Sequence, residues 1–329
     1  MSDNTVPTSA PSKSPNILFF GVGSVGAIYF YLLSRVCTPT AVCRSNYNIV
    51  KDRGFTINSS VFGQNLIVRP KVVRTCEEGA AQQSAPFDYL IITSKAIPGT
   101  IPTIIKPAVT PGHTVIVLMQ NGIGIEEEYA LAFPNNPIVS VAVYCKTTQR
   151  PAGIITHGEI ERLEIGAYPS SAPSAHATAF TSLMKSVGAS VTFYADVQYP
   201  RWCKLLMNAS WNPVCALTLS NDADFMKSSP EATQFILDIM LEVCDIAHAY
   251  GHEVSREDVD KHLDRAKVRI ERNDGVEPSM LQDVNEGRKM EVDAILGNAI
   301  RLGRERGVAC AKMEVVYLLV KALDLQMGK

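Results

Sequence analysis

The chain has 329 residues, of which 46% are hydrophobic and 19% charged, and its formal net charge is −2. That length suits two domains, and the composition is that of an ordinary globular protein rather than a disordered or fibrous one. The near-neutral balance gives no bulk attraction to nucleic acid or to an anionic membrane. Anion recognition therefore has to come from a local site.

Residues 1–15 are rich in Ser, Thr and Pro and lack Arg, which predicts a disordered tail and argues against a mitochondrial transit peptide. The uncharged stretch Ile17–Leu33 is short for a membrane span and is interrupted by Gly21, Gly23, Ser24 and Gly26. A strand, a glycine turn and a helix account for it better, and a soluble, cytoplasmic protein is expected. The eight cysteines are scattered singly with no C-x-x-C pair, the pattern of reduced thiols rather than of a zinc site or a disulfide scaffold.

From Asn16 onward, apolar runs alternate with amphipathic stretches. Asn16–Phe20, Thr40–Cys43, Asp88–Thr93 and Thr114–Met119 read as strands buried on both faces, with a helix over Ala27–Ser34. Ile138–Cys145, Gly153–His157, Arg162–Ile165 and Ser190–Tyr194 read as further strands, with a helix at Ala175–Ser186. Beyond about Val197 the periods become long and helical. The expectation is an α/β Rossmann-type domain with a doubly wound, mostly parallel sheet over 16–196, then an all-α domain over 197–329, with the active site in the cleft between them.

Gly21-Val22-Gly23-Ser24-Val25-Gly26 follows a strand and opens a helix. Gly21 permits the tight turn, Gly23 lets the backbone approach a pyrophosphate, and Gly26 allows close helix–strand packing. The helix start then offers free N–H groups and a positive dipole end to the phosphates. The next strand ends in Arg44-Ser45-Asn46, where an NAD site would carry Asp or Glu. A guanidinium fork at that place favours a 2′-phosphate, hence NADP(H). Lys95 and Asn121 follow two later strands, and their loops face the same crevice.

A second constellation begins at Tyr199. Lys204, Asn208 and Asn212 recur at i, i+4 and i+8, which stacks a lysine and two amides on one face of an otherwise apolar helix. Pro213 is expected to disrupt that helix beside Asn212. Further on, Ser279 with Gln282 reads as a capping box, and Asp283 and Glu291 fall two turns apart on what reads as one helix, with Arg288 and Lys289 as pairing partners. Cys244, His248 and His252 recur every four residues, but no fourth ligand is near and Gly251 should end the helix, so they read as structural and no metal is expected.

With these motifs in hand (GVGSVG, the S-K-A around Lys95, Q-N-G-I-G at Asn121, W-C-K-x3-N-x3-N at Lys204, and S-M-L-Q-D-x7-E from Ser279 to Glu291), the chain resembles the ketopantoate reductases over nearly its whole length after the tail. The resemblance implies that Lys204 is the catalytic lysine and general acid, and that Glu291 is the catalytic glutamate that orients it. It implies that Asn208, Asn212 and Ser279, with Lys95 and Asn121, bind a small 2-oxo acid. Gly21, Gly23, Ser24, Val25, Gly26, Arg44, Lys95, Asn121 and Glu291 would contact NADPH. No nucleic-acid or membrane partner is implied, and a homodimer is left open. One position departs from the family pattern: Asp222 stands where members often carry a substrate-binding asparagine, and unless Asn221 substitutes, its carboxylate would repel an acidic substrate. Asp222 and the bulky Trp211 motivate a rival reading, a paralogue that reduces another 2-oxo acid, ketone or imine. A rival of another class is a non-catalytic NADP(H)-binding redox sensor.

Overall fold

The computed structural model describes residues 14–327. The tail expected over 1–15 falls, as far as residue 13, outside the described residues. Ten strands form one sheet: β1 (Ile17–Phe20), β2 (Thr40–Val42), β3 (Phe55–Ser59), β4 (Gly63–Val68), β5 (Lys71–Val73), β6 (Tyr89–Ile92), β7 (Val115–Leu118), β8 (Ile138–Gln149), β9 (Ile154–Tyr168) and β10 (Val191–Phe193). Their order is β4-β3-β9-β8-β7-β6-β1-β2-β5, with β10 added beside β9. The block from β5 to β8 is wholly parallel, while β8–β9 and β3–β4 pair antiparallel.

Burial on both faces explains the unbroken apolar runs of the central strands. Along β1, Ile17 and Phe19 enter one apolar cluster while Leu18 and Phe20 enter the other. The chain leaves β1 toward β2 on one side and returns through β6 on the other, so the carboxyl end of β1 is a topological switch point. The glycine turn sits there.

Two expected strands, Gly153–His157 and Arg162–Ile165, are one. β9 runs through Gly158 because the long antiparallel partner β8 absorbs the irregularity as a register shift between Cys145 and Thr147. Both strands of the hairpin they form pack against the glycine-turn helix, Ser24–Ser34.

Among the described residues, every element from Gln198 on is helical. The long helix Gln198–Thr218 is the centre of this domain and packs against Ala232–Ala249 and Ser279–Asn285. It continues through Pro213, contrary to the expected disruption. The missing N–H costs only the bond to the Ala209 carbonyl, and the buried flanks of the helix hold the turn in place. Among the described residues, no helix is long and apolar enough to cross a membrane.

Candidate active site

The glycine turn has the geometry its chemistry asks for. Gly21 adopts φ +83, and an added Cβ there would lie 2.5 Å from Ser94 Cβ. Its backbone is pinned by Thr93 Oγ1, which donates to Gly21 O at 2.9 Å. A Cβ on Gly26 would collide with Thr93, so the helix can seat on the sheet only with glycine there. Gly23 is different: nothing lies within 4 Å of the place its Cβ would occupy. The helix that begins at Ser24 and carries Val25 has no side-chain cap, which leaves its first N–H groups for an anion. Ser94 Oγ, beside the turn, is buried without a hydrogen-bond partner. A bare cradle, an uncapped helix and an orphaned hydroxyl together suit a dinucleotide pyrophosphate. Arg44 and Ser45 are exposed at the end of β2, and Arg44 makes no ion pair among the described residues.

On the other side of the cleft, the polar stripe predicted from spacing is buried: Lys204 is 9% exposed, Asn208 5% and Asn212 4%. Lys204 Nζ donates to Asn121 Oδ1 at 2.8 Å and to the Val143 carbonyl at 2.6 Å. Asn121 Nδ2 in turn donates to Glu291 Oε2 at 2.9 Å, and the second carboxylate oxygen accepts from Ala96 N at 2.9 Å. A continuous relay therefore joins ammonium, amide and carboxylate, and its members come alternately from the helical and the sheet domain. Burial, assisted by the Arg201 charge, pushes the Lys204 ammonium down to about 8 against the opposing pull of Glu291 and Glu164.

Further along the long helix the amides form a second row. Asn212 Nδ2 donates to Asn208 Oδ1 at 3.1 Å, and Ser279 Oγ donates to Asn212 Oδ1 at 3.0 Å. Ser279 is thus not a capping residue. Pro278 takes the cap position with extended backbone, so the Ser279 hydroxyl sits in the first turn and faces Asn212, while Gln282 Nε2 donates to Glu277 O.

Glu291 is not on the same helix as Asp283. That helix ends at Asn285, where Gly287 at φ +64 turns the chain, and Glu291 precedes a π-helical turn, Asp293–Gly297. The break lets the carboxylate meet Ala96 N and Asn121 Nδ2 of the sheet domain. Such π turns recur at functional sites because they re-aim side chains. Lys95 is committed elsewhere, with its Nζ 2.7 Å from Asp283 Oδ1 and bonded to the Lys289 carbonyl, so it bridges the two domains. Arg288 also pairs with Asp283, whereas Lys289 turns to Asp324.

The departure at Asp222 is resolved locally. Its Oδ2 pairs with Arg269 at 2.5–2.7 Å, and its Oδ1 accepts from the backbone of Ala223 and Val276 at 2.8 and 2.7 Å. Both oxygens are consumed, so the expected repulsion of an acidic substrate is removed. Asn221 caps the helix Asp222–Lys227 and does not take over a ligand position. Trp211 is 2% exposed within the helical core, where its bulk serves packing. His248 bonds the Val254 carbonyl and His252 faces Asp196.

Arg201, one turn before Lys204, is the residue sequence reasoning passed over. It is fully enclosed and pairs with Glu126 at 2.7 Å. It also donates to the carbonyls of Gln120 and Gly122 at 3.2 and 2.9 Å, on both sides of Asn121. The loop that presents Asn121 is thereby tied to the helix that presents Lys204.

Residues 17–170 match the family described as ketopantoate reductase PanE/ApbA, and 196–324 match its C-terminal domain. The chain belongs to the ketopantoate reductase family. This is a family of oxidoreductases, and its members share the mostly parallel sheet followed by an all-helical domain. The 2-dehydropantoate 2-reductase of Methylococcus capsulatus is 32% identical, with a TM-score of 0.80 over 95% of this chain and 98% of that one. The meiotically up-regulated gene 72 protein of Schizosaccharomyces pombe is 30% identical over 93% of this chain, which spans 56% of that longer protein. A D-mandelate dehydrogenase solved with NADH and anilino(oxo)acetate shares the fold, with a TM-score of 0.82 at 19% identity over 95% of this chain and 100% of that one.

Proposed function

We propose that the protein reduces a 2-oxo acid to the 2-hydroxy acid with NADPH, with 2-dehydropantoate as substrate and pantoate as product. The observation that carries this reading is the Lys204–Asn121–Glu291 relay, which reaches Ala96 N two residues beyond the Ser94 that abuts the glycine turn. A reduced nicotinamide dinucleotide, when bound, supplies the hydride that reduces the keto carbon. Lys204 gives its proton to the carbonyl oxygen as negative charge grows there. Asn121 and Glu291 hold the ammonium in line through the transfer, and Glu291 stabilises its charged form. Asn208, Asn212 and Ser279 supply amide and hydroxyl donors for the carboxylate and hydroxyl groups of the acid. The wall behind Lys204 is closed by the Tyr144 ring, whose centroid is 5.4 Å from Nζ, and this helps keep water out.

NADPH oxidation measured with 2-dehydropantoate and a panel of other 2-oxo acids tests the reading. Turnover with none of them would leave a reductase of a ketone or imine, or the sensor. One observation favours a second substrate in the same class: Asp222 is locked to Arg269, so this chain lacks the asparagine that family members often use there. Selection would then fall on Asn208, Asn212 and Ser279, and another 2-oxo acid would lead the panel.

Two expected results follow from the site. The proton donor must be protonated, so kcat for reduction should fall as pH rises through about 8, the value set by burial of Lys204. The reverse oxidation, which needs the neutral amine, should rise over the same interval. A flat pH profile across that range would remove Lys204 as the acid. Arg44→Ala should raise the Kd for NADPH about tenfold or more, the worth of one charge-assisted contact, and leave NADH nearly unchanged. Equal effects on the two nucleotides in a fluorescence titration would remove the 2′-phosphate assignment.

A further inference from the structure

A cavity of about 380 Å3 is lined by none of the relay residues Lys204, Asn121 and Glu291. It is lined by Ser45 and Asn46 after β2, by Gln149 and Arg150 at the tip of the β8–β9 hairpin, and by Glu286 and Arg288 of the helical domain. The cavity borders the glycine turn directly, because Asn46 Nδ2 donates to Val22 O at 2.9 Å. One of its donors is unspent: Gln149 Nε2 is buried with no partner. Arg150 and Arg288, each 43% exposed, reach Glu286 from opposite domains. Arg150 also lies 3.7 Å from Glu277, and Arg288 bonds Asp283 at 3.0 Å. Arg44, exposed, immediately precedes the lining residue Ser45 in the chain.

We infer that Arg150 and Arg288 complete, with Arg44, a receptor for the 2′-phosphate of the dinucleotide, so that its adenosine end is held by both domains at once. The inference rests on the NADPH reading and adds residues to it. The end of β2 is where such a fold reads the ribose, and Ser45 places that end on the cavity wall. Guanidinium forks match phosphate oxygens in pairs, and forks from two directions suit a tetrahedral anion better than one does. Glu286 holds the two forks together in the interim. A phosphate brings more charge and more acceptor oxygens than this carboxylate, and it takes over the pairing. The buried amide of Gln149 gains the acceptor it lacks.

The test uses the full chain and two probes without nicotinamide, 2′-phospho-ADP-ribose and ADP-ribose, titrated calorimetrically. Arg150→Ala and Arg288→Ala should each weaken the 2′-phosphorylated probe about tenfold or more and leave ADP-ribose unchanged, which also verifies that the variants fold. Glu286→Gln, which removes the competing carboxylate, should tighten the 2′-phosphorylated probe. Loss of both probes in parallel, no effect of either arginine, or weaker binding by Glu286→Gln would mark these groups as a structural tie and overturn the inference. The underlying reading fails separately: wild-type protein that binds the two probes equally has no 2′-phosphate receptor at all. Discrimination lost in Arg44→Ala but kept in the other two variants would leave Arg44 acting alone and sink only the larger receptor.

Discussion

Replacing Lys204 by alanine is expected to lower kcat for 2-oxo-acid reduction by about 10²–10⁴-fold, the usual worth of a positioned acid, and to leave NADPH affinity nearly intact. The expectation follows from where the ammonium sits. Its bonds go to Asn121 and to the Val143 carbonyl, and none goes to the glycine turn. On the proposed reading, removal therefore takes the proton donor away without touching the glycine turn. Stopped-flow hydride transfer and an independent nucleotide titration would separate the two quantities. A mutant that reduced substrate at the wild-type rate would end the assignment.

The second large effect is expected at Arg201. Arg201→Met leaves Glu126 charged in a site where the carboxylate is fully buried, with Ser140 and Gln198 as its remaining donors. Removing one partner of a buried pair costs about 3–5 kcal/mol, because the other charge remains unpaired. A drop of that size in denaturant stability is expected, with Glu126→Gln in the same background recovering part of it. The variant should also lose turnover, since the carbonyls of Gln120 and Gly122 lose the donor that holds Asn121 between them. Stability close to wild type would show that water reaches the pair.

What could be read from the chain alone follows the range of the interactions concerned. The glycine turn and the central strands are local patterns, and β1, β6 and β7 appear where their apolar runs place them. The face shared by Lys204, Asn208 and Asn212 is fixed by helical period, and Asn212 does bond Asn208. β3 and β4 escaped notice because buried residues alternate with half-buried ones in β3 and half of β4 is exposed, and β5 has only three residues, so no apolar run marks them. The break before Glu291 had one signal, Gly287, whose positive φ ends the preceding helix. Ser279 misled because a serine three residues before a glutamine satisfies the capping pattern, and only the proline ahead of it takes the cap instead. In the sequence Arg201 is simply one more cation near a helix start. Its meaning lies in contacts to residues 60 to 81 positions away, which no periodicity reveals.

The carboxylate of Glu291 grips a main-chain amide and a side chain that both belong to the opposite domain. On the proposed reading, the acid would be assembled only while the two halves of the molecule are pressed together, and a parting of about 1 Å is enough to cost such a site two orders of magnitude. A protein that had loaded its reductant but had not yet shut would hold an idle proton, out of register with anything it could reach. On that reading, reactivity would be withheld from an open molecule, and the reducing power of a bound nucleotide would be guarded from stray acceptors in the solvent.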